Sequence, residues 1–167
     1  MGYQLIETIE VGAGGAASIE FTGIPQDATS LVCIVSSRSS NDSNYLAITF
    51  NNDDFVADNY TRRALRGTGS FAESDSSTSS GLALFGTVPS GATANTFSSN
   101  SITVSNYTSS AAKSISVDTV GENNGTLAIQ SLTAGQWSVA SPITICKLWT
   151  SGNFVQYSTA SLYKITA

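Results

Sequence analysis

The chain has 167 residues, of which 41% are hydrophobic and only 11% are charged, against about 25% charged residues in an ordinary domain. This length and composition predict one folded domain over residues 1–167 and exclude a disordered polymer. The net charge is −5 with seven Lys and Arg residues, so we expect no surface that binds a nucleic-acid backbone. No apolar run is long enough for a membrane span, and the N-terminus lacks the pattern of a secretory signal.

Alternation of apolar and polar residues with a period of two predicts strands from the start of the chain. The first strand places four side chains on one face: Tyr3, Leu5, Ile9 and Val11. Residues 12–15 form a glycine-rich turn, and a second strand follows at 17–22. We expect these two strands to pair as an opening hairpin, which Pro25 ends because proline cannot continue a central ladder.

Further strands are predicted in chain order at 31–35, 45–50, 59–65, 82–88, 102–104, 115–120, 127–132, 137–139, 143–149 and 162–165. The Ser-rich and Thr-rich stretch 70–80 is predicted to be a loop. Asn123-Asn124-Gly125 gives the strongest hairpin-turn signal in the chain. About ten short strands without a capped amphipathic helix predict an all-β protein: a sandwich, jelly roll or barrel.

Nine strand residues are predicted to form the core of two packed antiparallel sheets: Ile19, Phe21, Leu31, Cys33, Val35, Leu84, Ile129, Ile145 and Leu162. Cys33 and Cys146 both lie in apolar strands and are expected to be buried thiols. A disulfide between them requires that their strands are neighbours.

The sequence contains no histidine, which removes every Ser-His-Asp and Cys-His mechanism and the commonest ligand of transition metals. The acidic residues Glu7, Glu10 and Glu20 alternate with apolar residues and are expected on solvent faces, so no carboxylate pair indicates a glycan hydrolase. We therefore predict no enzyme activity, no catalytic residue, no organic cofactor and no transition metal. Calcium stays open, because oxygen ligands suffice for it.

Three acidic residues, Asp53, Asp54 and Asp58, lie near the turn at 51–54. Their spacing differs from that of a calcium-binding loop, which favours a role in the turn over a metal site. The Gly-x-Gly of residues 12–14 precedes a strand pattern, which favours a turn over a phosphate site.

Three of the seven basic residues are close together: Arg62, Arg63 and Arg66. Arg62 and Arg63 should point to opposite faces of a strand, so they are expected to be solvated or paired between subunits, with contact to an acidic partner as the alternative. Trp137, Trp149 and the six tyrosines are expected to be core residues or cross-strand partners more often than a sugar-stacking surface. Four matches to the N-glycosylation pattern, at Asn41, Asn59, Asn106 and Asn124, are what chance produces in such a sequence.

Three segments resemble a family of small virion proteins of tailed bacteriophages, including marine and freshwater cyanophages. They are Ser18-Ile19-Glu20-Phe21-Thr22-Gly23-Ile24-Pro25, then Asn59-Tyr60 with Leu65-Arg66-Gly67-Thr68-Gly69, and finally Gly152-Asn153-Phe154 with Ser158-Thr159-Ala160-Ser161-Leu162-Tyr163. The resemblance implies a β-sandwich of the jelly-roll type on the outside of the particle, often as a trimer. The family has no catalytic motif to carry over.

The sequence thus leads to the hypothesis of a capsid decoration (cement) protein on the outer shell of a virion, made in the host cytoplasm. Its partners would be copies of itself and the major capsid protein or a tail component, without nucleic acid or membrane. The alternative is a tail or fibre appendage module that binds a host-surface glycan.

Overall fold

The computed structural model describes residues 2–122 and 128–166, and within these ranges it contains twelve β-strands and no helix. The strands in chain order are β1 (Gly2–Glu10), β2 (Ala16–Phe21), β3 (Ser30–Ser36), β4 (Leu46–Phe50), β5 (Tyr60–Gly67), β6 (Ala72–Ser79), β7 (Leu82–Ala83), β8 (Ser99–Ser105), β9 (Lys113–Gly121), β10 (Ile129–Trp137), β11 (Cys146–Phe154) and β12 (Thr159–Thr166). They form two antiparallel sheets, so the predicted all-β sandwich is confirmed.

Four nested strand pairs organise the two sheets: β1 with β12, β2 with β11, β3 with β8, and β4 with β7. The larger sheet has the order β1-β12-β3-β8-β9-β10-β5-β6, and the smaller sheet has the order β2-β11-β4-β7. The hairpins β9–β10 and β5–β6 therefore lengthen the larger sheet beyond the nested pairs. We call these four strands the sheet extension.

The core lies between the inward faces of the two sheets, and alternation along each strand supplies it. Seven of the nine predicted core side chains are buried: Ile19, Phe21, Leu31, Cys33, Val35, Leu84 and Leu162. The prediction was wrong for Ile129 and Ile145, which are partly exposed. Ile145 precedes the first residue of β11, where regular alternation has not begun. Ile129 begins β10 beside Phe85 and Gly121, at an open end of the sandwich.

The predicted opening hairpin was wrong, because β1 and β2 lie in different sheets. The glycine-rich turn itself exists: the amide of Gly15 donates to the carbonyl of Gly12 at 3.0 Å, and Gly15 has φ 70°. This turn carries the chain across the sandwich instead of back along the same sheet. Turn residues specify a reversal of direction, and tertiary packing decides which strand lies alongside.

The predicted face of β1 was also wrong in its first half. The register with β12 shifts between Leu5 and Glu7, which is a β-bulge. Tyr3 and Leu5 are therefore exposed, whereas Ile6 and Ile9 pack against the core. Because a bulge adds one residue, every side chain that follows it changes face.

Three further elements differ from the prediction. The stretch predicted as a loop at 70–80 contains β6, an edge strand that pairs with β5 along its whole length. The predicted strand at 82–88 is reduced to β7, because Phe85 adopts φ 49° and interrupts the extended backbone. The predicted strands at 127–132 and 137–139 are replaced by one strand, β10, over Ile129–Trp137, whereas residue 127 and the predicted turn at 123–125 lie outside the described residues.

Candidate binding surface

The outward face of the sheet extension carries two exposed leucines. Leu65 of β5 and Leu132 of β10 lie directly opposite each other in the ladder and are 62% and 55% exposed. Directly opposed side chains in an antiparallel pair are about 5 Å apart, so the two leucines form one raised apolar feature. We call this pair the leucine ridge.

Shallow hollows lie on both sides of the leucine ridge. Gly67, Ala72, Val120 and Glu122 line the hollow on one side, and Arg63, Ser76, Ser116 and Ala134 line the hollow on the other. Most of these side chains are small and project little from the sheet. The surface therefore combines a protrusion with two recesses.

The outward positions of β5, β6, β8, β9 and β10 are almost free of charge. Arg63 and Asp118 are the two charged side chains there; the others are Ser, Thr, Gln, Ala, Gly, Leu and Val. Neither forms an ion pair with any residue in ranges 2–122 and 128–166, and an Nη atom of Arg63 donates to the carbonyl of Arg62 at 3.1 Å. Two opposite charges thus flank the leucine ridge without satisfying each other.

The inward face of the extension holds an arginine cluster. Arg62 donates to Asp75 at 3.0 Å and to the carbonyl of Ala83 at 3.0 Å. The guanidinium carbons of Arg62 and Arg66 lie 4.4 and 4.3 Å from the centroid of the Phe85 ring. This confirms that Arg62 and Arg63 point to opposite faces. The predicted pairing between subunits does not apply to Arg62, whose partners are in its own chain.

The arginine cluster anchors the edge strand and the segment at Phe85. Arg66 also pairs with Glu73 of β6, so both arginines connect β5 to β6. Burial lowers the pKa of the Arg62 guanidinium, and the nearby carboxylate of Asp75 opposes this effect. Arg62 Nε and Asp75 Oδ1 are buried without a hydrogen-bond partner, so the cluster is held at some energetic cost.

Cys33 and Cys146 are both buried free thiols, as predicted. They belong to β3 and β11, which lie in different sheets and are therefore not ladder neighbours. Burial raises the pKa of Cys33 to about 12 and that of Cys146 well above its ordinary value. Neutral thiols of this kind pack as small apolar side chains and react slowly.

The acidic turn has structural contacts. Asp53 Oδ2 accepts hydrogen bonds from Asn59 at 2.9 Å and from the indole of Trp137 at 3.0 Å. Asp54 pairs with Lys147 at 2.6 Å, and this hydrogen bond raises the pKa of Lys147. Asp58 is exposed. Among the described residues, no group of three His, Cys, Asp or Glu side chains is arranged to hold a metal ion.

The aromatic residues divide between core and surface. Trp137, Tyr60 and Tyr107 are buried, as predicted, whereas Tyr157 is 63% exposed without a cross-strand aromatic partner. On the outer face of the smaller sheet, the rings of Trp149 and Phe55 pack edge to face, with their centroids 5.5 Å apart.

Two of the four glycosylation matches use their amides in the fold. Asn41 donates to the carbonyl of Ser151, and Asn59 donates to Asp53. Asn106 lies in a turn with φ 53°, and Asn124 lies outside the described residues.

The binding surface was missed by the sequence analysis because its strand pattern is inverted. Ser131 and Thr133 are buried, and Leu132 between them faces solvent. A rule that places leucine inside and hydroxyls outside turns Leu132 inward, whereas the core prediction for Ile129 implies the opposite face, so the local pattern of this strand is ambiguous. The outward position of Leu132 can be recognised only once its pairing with Leu65 is known. These two residues are distant in sequence, so local patterns do not show that pairing.

No family model, no curated protein and no solved structure matches this chain. Within the described part of the chain, no helix combines the length and the apolar character needed to cross a membrane.

Proposed function

We propose that the protein is a non-enzymatic structural protein of a bacteriophage virion, a decoration protein that attaches to the outer shell of the capsid as a homo-oligomer. Many copies would each bury surface against the shell and against neighbouring copies. The summed contacts would oppose the outward pressure of packaged DNA. No covalent chemistry is needed for such a role.

The strand order supports the jelly-roll part of this proposal. In a jelly roll, eight strands form nested antiparallel pairs that alternate between two sheets. The pairs β1–β12, β2–β11, β3–β8 and β4–β7 have this nesting, and they alternate between the larger and the smaller sheet. The resemblance of the three sequence segments to phage virion proteins points in the same direction.

One observation carries the assembly part of the proposal: a broad, nearly uncharged sheet face exposes the leucine ridge. Adjacent exposed apolar side chains that form a contiguous patch are typical of a surface that another protein covers. Hydroxyl and amide side chains surround the ridge and can form the polar rim of such an interface. A low charge density also weakens the repulsion between copies.

Quantitative mass spectrometry of purified particles of the encoding phage tests the proposal. We expect hundreds of copies per particle, and particles that lack the protein should lose their shell integrity at a lower temperature. A handful of copies would assign the protein to an appendage. Its absence from the particle would contradict a virion role altogether.

The second candidate function, an appendage module that binds a host-surface glycan, is favoured by the aromatic pair Phe55 and Trp149. Phe55 is 41% exposed, and Lys147 lies 5.3 Å from the Trp149 ring centroid. An aromatic ring beside charged hydrogen-bonding groups suits a sugar, which stacks one face on the ring.

A glycan array probed with the wild-type protein and with Phe55→Ala tests this second candidate. Binding by the wild type that Phe55→Ala abolishes would favour the appendage function. Tyr157→Ala, which removes an exposed aromatic ring elsewhere, is the matched control. If the wild type binds no glycan, the second candidate is dropped.

A further inference from the structure

The outward face of the sheet extension is complementary to itself. Its leucine ridge protrudes, and the hollows beside the ridge are lined mostly by small side chains. An identical face that is turned over can lay its own ridge across this one, with the recesses on either side left for the flanking side chains. This property follows from the face alone and does not depend on the proposed virion function.

The two charges supply a second form of complementarity. Arg63 precedes Leu65 by two residues on β5, and Asp118 lies directly beside Leu132 on β9. With strands about 4.8 Å apart and about 6.8 Å between alternate residues, the Cα atoms of Arg63 and Asp118 are roughly 12 Å apart. The line that joins them crosses β10 between Leu132 and Ala134.

We propose that this face binds the same face of a second copy of the chain about a two-fold axis. The axis lies in the plane of the face, passes through β10 between Leu132 and Ala134, and is perpendicular to the line from Arg63 to Asp118. Rotation about it exchanges these two positions. Arg63 of each copy then faces Asp118 of the other copy, so that one interface contains two ion pairs.

The same rotation also places the apolar residues correctly. Leu65 of one copy comes to lie close to Leu132 of the second copy, and the reverse contact is identical by symmetry. The two ridges thus cross each other, with Gly67 and Ala134 leaving room on either side. One rotation thus pairs both charges and brings the leucines of the two copies into contact. This is the reason to choose a second copy as the occupant of the face.

The size of the face predicts a weak dimer. The four strands β6, β5, β10 and β9 cover a width of roughly 20 Å, and seven residues of a strand span about 24 Å. Each copy therefore contributes roughly 500 Å², or about 1,000 Å² for the pair, which is near the lower limit for a specific interface. We expect a dissociation constant in the micromolar range, so that dimers form where copies are concentrated.

Charge reversal tests the two-fold arrangement. Arg63→Asp alone places two acidic pairs in the interface, and Asp118→Arg alone places two basic pairs there. Each variant should self-associate at least about tenfold more weakly than the wild type. In a mixed dimer of the two variants, position 63 of each copy again faces an opposite charge at position 118 of the other copy, one pair with the wild-type polarity and one reversed, so an equal mixture should dimerise with near wild-type affinity.

Sedimentation equilibrium of the wild type, the two variants and their mixture measures these affinities. Glu10→Arg, which reverses an exposed charge on β1 at the other edge of the larger sheet, is the control and should dimerise like the wild type. Circular dichroism checks that all variants are folded, which is expected because Arg63 and Asp118 are exposed.

Three results would overturn the inference. A wild-type protein that stays monomeric at about 1 mM has no such interface, and another partner then covers the face. Single variants that dimerise like the wild type place the interface elsewhere. A mixture that stays monomeric rules out the two-fold pairing. None of these results bears on copy number in a particle, so the inference and the proposed function fail separately.

Discussion

The two parts of the larger sheet bury different chemistry. Strands β12, β3 and β8 of the nested pairs turn apolar side chains inward, among them Leu162, Cys33 and Ile102. The sheet extension turns polar side chains inward along much of its length, including Arg62, Ser131 and Thr133. Both parts have the same backbone ladder, so the ladder does not distinguish them.

This difference indicates where the stability of the fold resides. Burial of apolar area is the main favourable contribution to folding, whereas a buried ion pair contributes little net stability. The nested pairs therefore supply most of the apolar core. The extension adds side chains to that core, among them Tyr60 and Trp137, and is otherwise held by its ladder and by specific polar contacts, whereas Leu65 and Leu132 face outward.

The largest expected effect is the loss of a core leucine. Leu148 of β11 is fully buried, and Leu148→Ala should lower the free energy of unfolding by about 2–5 kcal/mol, because a cavity remains. Leu65→Ala is the matched control and should change it by less than about 0.5 kcal/mol. Urea denaturation measures both values, and equal losses would show that the outward face is not distinct from the core.

Substitution of the half-buried glycine Gly135 on β10 should give the next largest loss of stability. A Cβ atom at Gly135 would lie 2.6 Å from the side chain of Leu82, which is fully buried and has little room to move. Gly135→Ala should therefore cost about 1–3 kcal/mol of unfolding free energy. Gly121→Ala, where the nearest atom is the Ile129 carbonyl oxygen at 3.8 Å, is the control. If thermal denaturation shows no difference between these variants, β7 does not pack on β10 as described.

Disruption of the arginine cluster should lower the free energy of unfolding by a similar or smaller amount. Arg62→Met leaves the partly buried carboxylate of Asp75 with only the weaker contact to Arg66, at 3.6 Å. We expect a loss of about 1–3 kcal/mol. The double variant Arg62→Met, Asp75→Leu should recover most of that loss, because no uncompensated charge remains. A double-mutant cycle measured by urea denaturation gives the coupling, and additive losses would argue against a pairwise contact.

The buried thiol of Cys33 should make the free energy of unfolding depend on pH, which is the smallest of these effects. The pKa of Cys33 is about 12 in the folded protein and about 8.5 in an unfolded chain. A raised pKa contributes stability that is fully present below about pH 8.5 and is lost as the pH rises towards 12. Between pH 8 and 10 the wild type should therefore lose roughly 1–2 kcal/mol more than Cys33→Ala. Parallel pH profiles of the two proteins would mean that the thiol is not desolvated.

Much of the fold was accessible from local patterns. Alternation identified the all-β class and most strands, because Ile19, Phe21 and Leu31 lie on strands with one face buried. Edge strand β6 was missed because its inward residues meet the polar arginine cluster, so burial leaves no apolar signature. The opening hairpin was wrong because a turn does not encode which sheet the chain enters next.

The candidate surface was not predictable in the same way. The strand predicted at 59–65 correctly indicated that the side chains of Arg62 and Arg63 point to opposite faces. Leu65 and Leu132, however, become a ridge only through a pairing between distant segments. The local sequence predicts which side chains share one face of a strand. The surface that several strands form together depends on the register between them.

The most direct test of the central claim, that the extension presents a binding surface and not part of the core, is a paired measurement on Leu65→Ser, Leu132→Ser. We expect its free energy of unfolding to stay within about 0.5 kcal/mol of the wild-type value. Sedimentation equilibrium of the same protein should show that self-association is lost. A stability loss of several kcal/mol, or undiminished dimerisation, would contradict the account.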